Sequence, residues 1–89
     1  MKKLLSNLTL EEFKNLVEKL LRVQLNNFNH DYDLANLQVV YDINEHFTPL
    51  EYFSRIALQN LVTDYLNCDN IEHDFNQFKK MNPNIEVEL

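Results

Sequence analysis

The sequence contains no glycine and no tryptophan, one cysteine and two prolines in 89 residues. Without glycine there is no G-x-x-x-x-G-K-[ST] phosphate loop, no G-x-G-x-x-G dinucleotide turn and no G-x-S-x-G nucleophile elbow. Turns that need a positive φ must draw instead on asparagine, of which there are thirteen. The lone Cys68 cannot form an internal disulfide, and no neighbouring basic residue activates it, so it reads as a structural thiol. No apolar run approaches the roughly 20 residues of a membrane span. The opening MKKLLSNLTLEEF lacks the apolar core and cleavage site of a secretory signal. The expected location is therefore cytoplasmic, with no membrane partner.

What is abundant is acid. The formal net charge is −6, and it is unevenly spread. Residues 1–41 carry five basic and five acidic side chains, whereas residues 42–89 carry three basic against nine acidic ones. Asp64, Asp69, Glu72 and Asp74 fall in a span up to Phe78 that holds no lysine or arginine. Direct nucleic-acid binding is not expected there, because phosphate repulsion would oppose it. Each histidine has an acidic chain neighbour, but His30, His46 and His73 show no H-x-x-x-H or H-E-x-x-H spacing. No metal or other cofactor is expected. Fourteen acids allow so many carboxylate pairs that none points to general acid–base work, and no catalytic residue is assigned.

At this length the chain makes one small domain, residues 1–89. Residues 1–7 read as a lead-in that frays unless docked. Thr9 and Glu12 make a T-x-x-E capping box, with Leu8 and Phe13 as its apolar staple. The helix it opens, about 10–27, has Phe13, Leu16, Val17, Leu20 and Leu21 on one side, and Glu18 and Arg22 as an i,i+4 pair on the other. A second box is expected at Thr48 and Glu51, with Pro49 at the first helical position and Phe47 and Tyr52 as the staple. It opens a helix over 49–66, apolar around most of its circumference and hence expected to be buried by its neighbours. A third helix over 70–81 carries Ile71, Phe75, Phe78 and Met81 on one face, with Asp69 as its cap and Pro83 as its stop.

Residues 33–46 fit either periodicity. Asp33 caps a possible helix with Leu34, Leu37, Val40 and Tyr41, yet Leu37, Val39, Tyr41 and Ile43 also alternate as in a strand. The tail decides the preference. Ile85, Val87 and Leu89 alternate strictly, and a lone strand is not stable. The expected fold is α+β, mostly α: three main helices with a short two-strand element pairing 37–43 with 84–89. The alternative is an all-α bundle with a loose C-terminal tail.

The expected function is non-catalytic. A compact acidic protein suits docking on a basic surface of a partner protein, such as one that itself binds nucleic acid, as an inhibitor or an immunity-type protein does. The partner-binding candidates are Asp64, Asp69, Glu72 and Asp74, together with Asp31, Tyr32 and Asp33 in the Asn/Asp-rich loop, where Tyr32 can serve as an aromatic anchor. The competing expectation is a structural or homo-oligomeric building block, motivated by the apolar 49–66 helix. A helix-turn-helix regulator built on 49–66 and 70–81 ranks below both.

Overall fold

The tail strand does find partners, and there are two of them. In the computed structural model, which describes residues 1–89, Glu86–Glu88 (β3) lies antiparallel between Lys2–Leu4 (β1) and Phe47–Thr48 (β2). Lys2 faces Glu88 and Lys3 faces Val87, so opposite charges sit across the β1–β3 ladder. Leu5 donates its amide to the Ile85 carbonyl at 2.8 Å, extending the attachment by a residue on each side. The lead-in, expected to fray unless docked, is docked, and Leu5 and Leu8 are fully buried.

The expected pairing of 37–43 with 84–89 is overturned. Residues 37–43 lie in a fourth helix, α2 (Tyr32–Asp42), and in the 3-10 turn Ile43–His46 that follows. The cap is Asp31 rather than Asp33, its side chain accepting from the Leu34 amide at 3.2 Å. Ala35, Val39 and Ile43, spaced by four, are the fully buried positions. That helical spacing competes with the strand-like alternation and wins because it buries one stripe against the core. Gln24 and Gln38 both donate to the Asp42 carboxylate at 2.8 Å, which ties α2 to α1 (Leu10–Asn27).

The capping box at the start of α1 forms in full: Thr9 and Glu12 exchange side-chain and backbone hydrogen bonds at 2.9 and 3.1 Å. Lys3 reaches the same Glu12 carboxylate at 2.7 and 2.8 Å, and the Lys3 and Thr9 hydrogen bonds hold that carboxyl below its usual range. Glu18 does not pair with Arg22; it accepts from the Tyr65 hydroxyl at 3.0 Å. The second expected box is absent. Thr48 is taken into β2 opposite Glu86, a cis Thr48–Pro49 peptide follows, and α3 (Tyr52–Leu66) starts at Tyr52 with no side-chain cap. Helix α4 (Glu72–Met81) begins two residues later than expected and is preceded by Asn70, not Asp69, accepting from the Glu72 amide at 3.0 Å.

The core joins all these elements. Phe47 of β2 stands edge-on to Phe13 of α1 and Phe78 of α4, at centroid distances of 6.3 and 6.2 Å, and Phe13 lies 5.2 Å from Phe75. Helix α3 contributes Leu58, Leu61 and Val62. Its first turns do not join: Tyr52 is 69% exposed, Phe53 81% and Ile56 38%. The expectation that this helix is enclosed on most sides fails at that end, where Tyr52, Phe53 and Ile56 are left outside the core cluster and only Leu50 and Ala57 pack against it.

Helices α1 and α3 both close without glycine. At the end of α3, Asp69 N–H reaches the Asp64 carbonyl at 2.9 Å and Cys68 N–H the Tyr65 carbonyl at 3.0 Å, with Cys68 at φ 66°. At the end of α1, His30 N–H reaches Leu25 at 2.7 Å, with Asn29 and His30 at φ 54° and 64°. Asparagine supplies one of these left-handed positions, as expected; histidine and cysteine supply the others.

Candidate functional site

The closure at Cys68 reverses the chain, and α4 runs back along α3. Ser54, near the start of α3, donates to the Asn82 side chain just past the end of α4. Asn82 in turn donates to the Phe78 carbonyl at 2.8 Å, which fixes its orientation. Between the two helices lies an open groove of about 710 Å³, within the range of ligand-binding clefts. Buried Leu61 and Phe78 form its floor. Asp64 and Asp74 line it at the end near the turn, and exposed Phe53 and Met81 at the open end, with Glu51 beside Phe53. No lysine or arginine lines it. Lys79 of α4 is turned elsewhere, its ammonium 5.3 Å from the centre of the Phe75 ring.

A second, smaller depression of about 350 Å³ lies on the other side of the α3 C-terminus, where Tyr32 of α2 and Asp69 of the turn line one surface with Lys14, Glu18 and Tyr65. The Lys14 ammonium sits 5.9 Å from the centre of the Tyr65 ring. Burial pushes the Tyr65 phenol above its ordinary value, and its hydrogen bond to the Glu18 carboxylate adds to the shift, since a negative acceptor disfavours a phenolate.

The seven candidate residues therefore divide. Asp64 and Asp74 come together on the α3–α4 groove, and Tyr32 and Asp69 on the smaller depression. Asp31 is occupied as the α2 cap, while Asp33 and Glu72 are exposed in the first turns of α2 and α4 and line neither. Acids at these helix starts also complement the helix dipole. Phe53, Met81 and Glu51 were not expected as site residues. The sequence offers no clear signal for them, since Leu61 and Val62 are equally adjacent and apolar on the same helix and both are buried.

No set of three or more His, Cys, Asp or Glu side chains comes together to hold a metal ion. His46 is engaged with the Glu88 carbonyl at 2.8 Å. No helix is long and apolar enough to cross a membrane. The chain matches no protein-family model, no curated protein and no solved structure.

Proposed function

We propose that this chain is a non-catalytic acidic binding module that docks on a basic surface of a partner protein, in the manner of an inhibitor or immunity-type protein. The observation that supports this reading is the convergence of Asp64 and Asp74 from two helices on one groove free of basic residues. Asp69 and Glu72 extend the same negative potential around the turn between those helices. An arrangement of this kind steers a positively charged partner and sets orientation more than it supplies raw affinity.

The test begins with affinity capture from the source cells and purification of the captured protein. Binding is then measured for the native chain and for D64K/D69K/E72K/D74K. The expected result is a slower association, a weaker complex and a loss of salt dependence in the variant. An unchanged affinity in a folded variant refutes the reading.

A second reading, a homo-oligomeric building block, has its own support. Leu34, Leu37 and Tyr41 lie at i, i+3 and i+7 on α2 and are 47%, 56% and 59% exposed. This stripe, rather than α3, is the surface a second copy would cover. Light scattering over a concentration series decides it: a strict monomer at high concentration rules the reading out, and a dimer abolished by L37S/Y41S establishes it.

A further inference from the structure

We infer that the α3–α4 groove is the seat of an amphipathic, basic helix from the partner; this rests on the reading of the chain as an acidic binding module and names the form its ligand takes. The groove is acidic at one end and mainly apolar at the other, where Glu51 is the one carboxylate beside Phe53 and Met81. Carboxylates of Asp64 and Asp74 stand at one end, and Phe53 and Met81 stand at the other, 81% and 76% exposed. An occupant matched to it carries an apolar anchor at one end and positive charge at the other.

The walls are helices, whose backbone groups are already paired. An extended peptide laid here would gain no backbone hydrogen bonds from these walls, whereas a helix needs none. The spacing sets the pattern. At 1.5 Å per residue, Phe53 to Asp64 spans ~16 Å along α3 and Met81 to Asp74 spans ~10 Å along α4. A docked helix therefore sets its apolar anchor at position i and its arginines at about i+7 and i+11, and on a helix these positions share one face. Arginine suits the acidic end better than lysine, because two carboxylates on facing walls match its planar fork of donors.

The experiment is an NMR titration of the isotope-labelled 89-residue chain. The probe is a designed helical peptide of about 16 residues with leucine at i and i+4 and arginine at i+7 and i+11. The expected result is shifts concentrated at Phe53, Ala57, Asp64, Asp74 and Met81. Binding should weaken by at least about tenfold in F53S and in D64N/D74N, and by less than about twofold in E45Q/E86Q, which removes equal charge elsewhere. The inference is overturned if a scrambled peptide of the same composition binds as tightly, or if the shifts spread over the sheet acids. It is equally overturned if no shift appears at about 1 mM peptide, or if the groove signals move with protein concentration alone, which would make a second copy the occupant. Failure here with a positive charge-reversal result removes the helix-in-groove assignment and leaves the acidic module standing. The converse result, peptide binding with no charge-reversal effect on the captured partner, removes the module reading and with it the partner helix as occupant.

Discussion

Val87→Ala tests the architecture at its narrowest point. Val87 is fully buried and sits in the central strand, opposite Lys3 on one side and Phe47 on the other. The substitution removes two methylene equivalents, a transfer loss of ~1.6 kcal/mol at about 0.8 kcal/mol each. If the surroundings do not relax, the resulting hole of ~50 Å³ adds ~1.2 kcal/mol at about 24 cal/mol per Å³. The expected destabilisation is thus ~1.6 to 2.8 kcal/mol, a large fraction of the roughly 5–15 kcal/mol available to a small domain. At about 4–8 °C per kcal/mol, Tm should fall by ~6 to 22 °C. Urea unfolding followed by circular dichroism measures it, with the m-value unchanged. Glu86→Ala and Glu88→Ala, on the exposed face of the same strand, should each stay within about 0.5 kcal/mol. A Val87→Ala effect below about 0.5 kcal/mol, or one equal to the glutamate controls, would mean that the tail does not close the core and would restore the bundle with a loose tail.

Thr9→Ala should cost about 1 kcal/mol in urea unfolding, because the Glu12 amide loses its side-chain acceptor. Lys3→Ala should raise the Glu12 pKa, read by NMR titration of its carboxyl carbon, since the Lys3 hydrogen bond is the largest cause of its depression. The stability linked to Glu12 is present above the ordinary carboxylate pKa and is lost as pH falls through the lower folded value; Lys3→Ala should flatten that acid-side loss. Tyr65 behaves oppositely. Its phenol stays protonated in the fold above the ordinary value of 10.0, so unfolding releases a proton and stability falls as pH rises past that value. Tyr65→Phe should remove this alkaline component, measured by denaturant midpoints between about pH 9 and 11.

The parts of the fold that are legible in the sequence are those written locally. Thr9 and Glu12 specify a helix start within four residues, and nothing distant competes for them. Thr48 and Glu51 carry the same signature, but Thr48 is claimed by a strand pairing with Glu86, nearly forty positions away, and the local signal loses. Segment 33–46 satisfies two periods because Val39 and Val40 are adjacent. Only the burial of Ala35, Val39 and Ile43 on one stripe resolves it, and burial depends on the neighbouring helices. The tail's alternation announces a strand but not its partners: Lys2–Leu4 is too short to stand out as a strand. For the site, the acidic span was visible as charge. Its division between two depressions was not, since it follows from the direction in which the Cys68 closure sends α4.

The placement of β3 also bears on the entropy of closing the sheet. Its two ladders close loops of very different size. Phe47 pairs with Val87 across 40 positions, and Lys3 with Val87 across 84. Loop-closure entropy grows with the logarithm of length, so the outer ladder costs ~0.6 kcal/mol more to close than the inner one. On closure entropy alone the inner β2–β3 ladder is the cheaper one to form first. If strand β1 joins last, amide exchange at Lys3 should be faster than at Phe47 or Val87, and equal or slower exchange there would show that the three β1–β3 pairs outweigh the loop-length difference. A transition state that lacks β1 would assign most of the effect of substitutions there to the unfolding rate, so the lifetime of the folded chain would then be tuned from the β1 edge of the sheet.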